Sequence, residues 1–322
     1  MSLLKVDNLK KYFAVSSGFL ARLRKKESYV HAVNGVSFDI KKGETLSLVG
    51  ESGCGKSTIG RTVLGLYEPT AGDIYYDGRR VNDMSEKEKF KLKEKMQMIF
   101  QDPYSSLNPR QKVKEIISEP IRTHNIVSNE EMDDYILKLL DKVGIDESYL
   151  NRYPHQFSGG QRQRIGIARS LAVEPEFIVA DEPISALDVS IQAQILNLMM
   201  DLQEEFHLTY LFIAHDLSVV KHISDRVAIM YLGKVFEIGD KKEIFDHPVH
   251  PYTEALFVSI PKLTEKTKEN FVSLEGDVPD PIYLPSGCYF HSRCKYASNI
   301  CREVEPELKE IDGRQVACHL YD

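Results

Sequence analysis

Residues 45–58 read TLSLVGESGCGKST, and no other stretch narrows the choice of fold as far. An apolar, β-rich run (Leu46, Leu48, Val49) breaks at Gly50, and a helical pattern then runs from Lys56 to Leu66. Gly50, Gly55, Lys56 and Ser57 stand in the spacing G-x-x-x-x-G-K-[ST], a loop that cradles phosphate between a strand and a helix. The residue types follow from that task. Glycines at 50, 53 and 55 let backbone N–H groups turn inward around phosphate oxygens without Cβ clashes. A helix beginning near Lys56 adds the positive end of its dipole. Lys56 is suited to neutralise β- and γ-phosphate charge, and the Ser57 hydroxyl to ligate Mg²⁺. A chance glycine-rich turn would lack the flanking strand and helix, so the chain is expected to bind a nucleoside triphosphate. Glu51, Ser52, Cys54 and Thr58 complete the loop. Cys54 reads as a small filler, since nothing beside it in sequence supplies a base.

A second element matches the first. Residues 177–182, FIVADE, read as a strand buried on both faces that ends in two carboxylates. Ligands bind at such strand ends in open α/β sheets. Asp181 suits the Mg²⁺ shell and Glu182 the polarising of an attacking water. A third element is FSGGQRQRIGIARSL, residues 157–171. Ser158 reads as an N-cap, followed by two glycines and a helix with Ile165, Ala168 and Leu171 on one face. Its N-terminus is a second anion site. The helical pattern over 189–206 puts Ile191, Ile195, Leu198, Leu202 and Phe206 on one stripe, which reads as core.

Bulk properties set the class. With 322 residues there is room for one large domain plus an appendage, or for two domains. A formal charge of −7 argues against a nucleic-acid partner, which needs a cationic face. The start, MSLLKVDNLKK, lacks a cationic segment followed by an apolar core, so no signal peptide is expected. Apolar runs such as YLFIA fall far short of the ~18 residues that span a bilayer. A cytosolic location, with reduced thiols, is the expectation.

With these motifs in hand, the chain resembles the ATPase subunits of ABC transporters. GESGCGKST, SGGQ, FIVADEP, SALD and IAHD occur in that family's order. The resemblance implies a P-loop NTPase fold of the α/β class. It consists of a RecA-like mixed sheet, an antiparallel β subdomain and a helical subdomain at about 85–170, all within residues 1–240. It also implies that two such subunits pair head to tail. The loop of one closes over ATP against Ser158, Gly159, Gly160 and Gln161 of the other. Gln101 in IFQDP matches the Q-loop glutamine that contacts Mg²⁺ and signals to the membrane subunits. His215 matches the switch histidine at the γ-phosphate, and Ser185 and Asp188 match the loop crossing the dimer interface. Phe13, with Tyr12 as the alternative, falls where an aromatic ring stacks on adenine.

Further stretches resemble one branch. QDPYSSLNPR, RYPHQFSGGQRQR, ISALDVSIQAQILNL and HPVHPYTEAL are similar to the oligopeptide and dipeptide importer ATPases. That branch includes importers of nickel, glutathione and antimicrobial peptides. The basic segment within 16–33 is similar to the second of the two nonidentical ATPases these systems employ. The implied partners are another ATPase subunit, two membrane permeases and, indirectly, an extracytoplasmic peptide-binding protein. The rival class is a soluble ABC ATPase of DNA repair or translation, which would bring a long coiled coil or a second cassette; neither pattern is present.

Residues 241–322 form a C-terminal extension in which Cys288, Cys294, Cys301 and Cys318 gather four of the chain's five cysteines. Neither closely spaced zinc knuckles nor ferredoxin spacings are matched. Four thiolates suit Zn²⁺ or a [4Fe–4S] cluster, and His291 or His319 could replace a cysteine around zinc. Metal-free thiols remain the third alternative. The importer resemblance implies the [4Fe–4S] cluster. Rich in proline and charge, the tail is expected to bury little, and a core that small seldom supplies more than about 3–5 kcal/mol. A four-thiolate metal site contributes roughly 10–16 kcal/mol. Metal is therefore expected to decide whether the tail folds.

Overall fold

A computed structural model describes residues 2–15, 28–258 and 276–322. The basic stretch at 16–27 and part of the extension, 259–275, lie outside the described residues. The chain divides into two compact units.

One unit is nearly contiguous, comprising Lys41–Thr45 and Val81–Ile213. Three parallel strands lie side by side in it: Met96–Ile99, Phe177–Asp181 and Thr209–Ile213. Phe177 pairs with both Met96 and Thr209, so the strands run in step and Asp181 lies opposite Ile213. The middle strand is buried throughout, as its continuous apolar run requires. Helices Val113–His124, Met132–Lys142 and Gly159–Leu171 pack on one another. The helix Val189–Phe206 buries Ile195, Leu196, Met199 and Leu202. The expected stripe is thus corrected at its end, where Phe206 is 41% exposed. That residue is the last of the helix, beyond the stretch that faces the core.

The other unit comprises Ser2–Ile40, Leu46–Arg80 and Ala214–Asp322. A four-stranded sheet runs in the order Ser28–Lys41, Ser2–Val15, Ala71–Tyr76, Arg79–Arg80. Elsewhere in this unit Leu46–Val49, of the strand Thr45–Val49, pairs in parallel with Arg226–Tyr231, Leu46 lying opposite Arg226. Lys234–Asp240 returns antiparallel from a turn at Leu232 and Gly233. The C-terminal extension then adds two short antiparallel strands, Arg314–Val316 and Lys309–Ile311.

Most described residues of the tail are exposed or half-buried, as expected, but a few are buried against the strands upstream. Phe290 is 2% exposed, and Val316 and Ala317 are buried with it. Phe290 joins Tyr231 and Tyr252 in an aromatic cluster with ring centroids 4.9–5.5 Å apart, geometry that adds to the gain from burial alone. A fully buried Glu237 carboxylate accepts the Val249 and His250 N–H groups and pairs with buried Arg314. Arg314 also binds Glu243 at 2.9 Å and the His247 carbonyl. Apolar packing and a buried ion network join this region to the strand Lys234–Asp240, with Arg314 Nε left without a hydrogen-bond partner among the described residues. Among the described residues no helix is long and apolar enough to cross a membrane.

His250 stacks on Phe236 at 4.6 Å, and its Nδ1 accepts the Tyr252 N–H at 3.0 Å. Burial holds its pKa down to about 3, against an ordinary 6.5. The unfolded chain therefore binds this proton first, and stability falls as pH drops from 6.5 towards 3. Denaturation midpoints measured between about pH 7 and pH 4 should decline, and His250→Gln should flatten that decline while lowering stability at neutral pH. Equal slopes in both proteins would refute the assignment.

Candidate active site

The phosphate loop leaves the buried strand Thr45–Val49 at Gly50 and ends at the N-terminus of the helix Lys56–Val63. The helix is shorter than the expected run to Leu66. Gly55 is its N-cap, at φ +105°, and a Cβ there would lie 2.0 Å from the Ala32 carbonyl oxygen. Only glycine meets both conditions. Lys56 is 5% exposed, and its ammonium donates to the Gly50 carbonyl at 2.7 Å and the Glu51 carbonyl at 3.1 Å. Ser52 and Gly53 are exposed at the tip, Ser57 and Thr58 half-buried on the first helical turn. Cys54 is buried, and burial raises its pKa, so it stays a neutral thiol.

His215 belongs to the same unit. The Ala214 N–H donates to the Leu48 carbonyl at 3.3 Å, which brings the backbone before His215 beside the strand feeding the loop. Asp216 caps the following helix by accepting the Ser218 N–H at 2.8 Å. The Phe13 ring meets the Tyr67 ring edge-on at 5.4 Å, with Lys11 Nζ 5.0 Å from its centroid. Tyr12 is held differently, its hydroxyl donating to Asn34 and its ring 4.3 Å from that of His31.

The carboxylates stand in the other unit. Asp181 ends its strand at 1% exposure. Glu182 follows in a left-handed conformation, φ +47°, unusual for a long side chain. Its N–H donates to the Ile213 carbonyl at 2.9 Å, and the Ser185 N–H and hydroxyl both donate to its carbonyl. Gln101 Nε2 donates to the Glu182 carboxylate at 2.9 Å. Four candidate site residues, Gln101, Asp181, Glu182 and Ser185, therefore lie within one unit. Ser158 caps the helix Gly159–Leu171 through a reciprocal box with Gln161. A Cβ on Gly160 would lie 2.5 Å from Ile191 Cγ2, so close helix packing also demands that glycine. Asp188 starts the helix Val189–Phe206 with its backbone carbonyl, which accepts from Ile191 and Gln192.

The four cysteines of the extension are free thiols that line one cavity of about 10 Å³, with His250, His291 and His319. Burial pushes Cys288 up to about 12 and Cys318 up to about 11, mutual repulsion among the thiols adding to both. Convergence of the cysteines is as expected. Yet among the described residues no group of three or more His, Cys, Asp or Glu side chains is arranged to hold a metal ion. The geometry therefore supports a four-thiol cavity and not a formed iron–sulfur site.

Two residues escaped the sequence. Arg293 makes a bidentate pair with Glu51 of the phosphate loop, at 2.9 and 3.1 Å. Tyr252 accepts the Glu51 N–H at 3.1 Å. Each lies some two hundred residues from Glu51, beyond any local pattern. Their only signals were an arginine between two cysteines and a tyrosine in HPVHPYTEAL.

Comparison with known proteins adds three findings. A family model described as ABC transporter matches residues 33–185, and one described as Oligopeptide/dipeptide transporter, C-terminal region, matches 236–301. The oligopeptide transport ATP-binding protein AppF of Bacillus subtilis is 54% identical over 99% of this chain and 98% of its own length. The dipeptide transport ATP-binding protein DppF of Escherichia coli is 46% identical over 99% of this chain and 95% of its own. Among solved structures, a dimeric post-hydrolysis state of the ATP-binding cassette MJ0796 bound to ADP and Pi aligns with a TM-score of 0.65. It is 31% identical over 74% of this chain and 98% of that one.

Adding a methyl group at Gly55 tests the loop. Gly55→Ala should destabilise the chain by at least about 1–2 kcal/mol through backbone strain alone. It should also abolish binding of a fluorescent ATP analogue. A variant that keeps both its melting temperature and its binding would show that the loop tolerates the side chain.

Proposed function

Because the chain belongs to the ABC transporter family, in its oligopeptide and dipeptide transport branch, we propose that it is the ATP-hydrolysing subunit of a di- and oligopeptide importer. The observation that carries this reading is one chain holding both an intact phosphate loop and the transporter C-terminal region. Related importers of nickel, glutathione or antimicrobial peptides are the alternative, because the chain itself carries the motor and not the substrate site.

In the proposed mechanism the N–H groups of Gly50–Thr58 bind the phosphates, and Lys56 swings its ammonium from the loop carbonyls to their oxygens. Phe13 stacks on the adenine. Ser57, Asp181 and Gln101 are the side chains that would hold Mg²⁺, which would supply neutralisation of phosphate charge. Glu182 polarises the attacking water, with Gln101 holding its carboxylate in place. His215 contacts the γ-phosphate. Ser158, Gly159, Gly160 and Gln161 present their helix N-terminus to ATP on the second ATPase subunit, and Asp188 lies at that junction. The dimeric state of the related MJ0796 cassette supports such pairing. Closure of the pair drives two membrane permeases, fed by an extracytoplasmic peptide-binding protein, from a peripheral position on the cytoplasmic membrane face.

Glu182→Gln should retain ATP binding and lower turnover by roughly 10²–10⁴-fold. Measured phosphate release at the wild-type rate would sink the assignment. For the extension, four thiols lining one cavity are a donor set whose chemistry suits a [4Fe–4S] cluster, or zinc as the alternative ion, and loading either would require the thiols to rearrange from the geometry described above. Protein purified without oxygen should contain about four iron and four sulfide per chain, lost in Cys294→Ser. Zinc alone, or no metal, refutes the cluster and leaves the ATPase reading intact.

A further inference from the structure

Glu51, the first residue after Gly50, is held at three points. Its N–H donates to the Tyr252 hydroxyl, its carbonyl accepts from Lys56, and its carboxylate is clasped by Arg293. The Arg293 side chain is 5% exposed, and Nη1 donates as well to the Tyr231 hydroxyl at 3.2 Å. A planar guanidinium meeting a carboxylate through both arms is the most orienting of ion-pair geometries. Arg293 is itself fixed by its backbone N–H, which donates to the Phe290 carbonyl at 2.9 Å in the turn between Cys288 and Cys294. Both of those cysteines line the thiol cavity.

The charge arrangement has a use. A carboxylate at the edge of a phosphate cradle repels a polyphosphate ligand. A buried guanidinium bound to that carboxylate cancels the repulsion and fixes the loop at the same time. We propose that Arg293 is a positioning residue for the phosphate loop, neutralising Glu51 and tying the loop to the thiol-lined turn of the C-terminal extension. The inference rests on the reading of Gly50–Thr58 as the nucleotide site. It extends that reading by making nucleotide affinity depend on a residue of the extension.

The test is binding of a fluorescent ATP analogue to the full-length chain. Arg293→Ala should weaken binding about 10-fold, the size of a typical coupling between linked elements. Removing the stranded carboxylate in Arg293→Ala/Glu51→Gln should recover most of that loss, which a purely structural role for Arg293 would not allow. Unchanged affinity in Arg293→Ala overturns the proposal, and so does a loss that Glu51→Gln fails to recover. Lys56→Ala separates the two levels. If the wild type does not bind the analogue, or Lys56→Ala binds as well as the wild type, the nucleotide-site reading fails. Loss of binding in Lys56→Ala with full binding in Arg293→Ala removes only the role of Arg293.

Discussion

Three stretches of backbone meet around Gly55 with no side chain between them, and the phosphate loop depends on that meeting. The Gly55 Cα faces the Ala32 carbonyl at a distance that excludes a Cβ. The Gly233 N–H donates to the Cys54 carbonyl at 2.9 Å, and its carbonyl accepts the Asn34 N–H at 2.8 Å. The loop is thus braced from behind by main chain, which has little freedom to repack. Its N–H groups can then face outward in a fixed arrangement. Preorganised donors are what an anion site needs, because they spend no free energy on reorganising when the ligand arrives.

The carboxylate end achieves rigidity by another route. Glu182 takes a left-handed conformation, which costs about 1–2 kcal/mol for an ordinary residue. Its N–H and carbonyl are both bonded, to Ile213 and Ser185, and its carboxylate is bonded to Gln101. Three parallel strands, Phe177–Asp181 and Thr209–Ile213 among them fully buried, supply the frame that maintains the strain. The turn re-aims the side chain off the strand end, so Asp181 and Glu182, adjacent in sequence, take different surroundings.

What the sequence made legible were contiguous words. GESGCGKST, FIVADE and FSGGQ each carry their secondary structure with them, and their strand, loop and cap forms follow from glycine freedom, apolar runs and a capping box. Phe206 was misplaced because helical period alone cannot say where a helix leaves the core. In the extension, proline and charge conceal the few residues, Phe290 and Val316 among them, whose burial is decided by strands far upstream. Arg293 was invisible for the same reason: an ion pair spanning most of the chain has no spacing rule. The cysteines show the intermediate case. Their number announced a common location, while their geometry depends on turns that spacing does not encode.

The division of the chain has a kinetic side. The unit at Val81–Ile213 is almost continuous and sits in the middle of the sequence, interrupting the other unit. Chains emerge from the ribosome N-terminus first and fold by units, so the carboxylate-bearing unit can complete itself while the phosphate loop is still waiting for strands from Ala214 onward. The loop's supporting partners, Met230, Gly233, Tyr252 and Arg293, are all made after that interruption. A nascent chain halted before them would expose its glycine-rich loop without its brace. The phosphate loop therefore has its full set of bracing partners only once synthesis has passed Arg293.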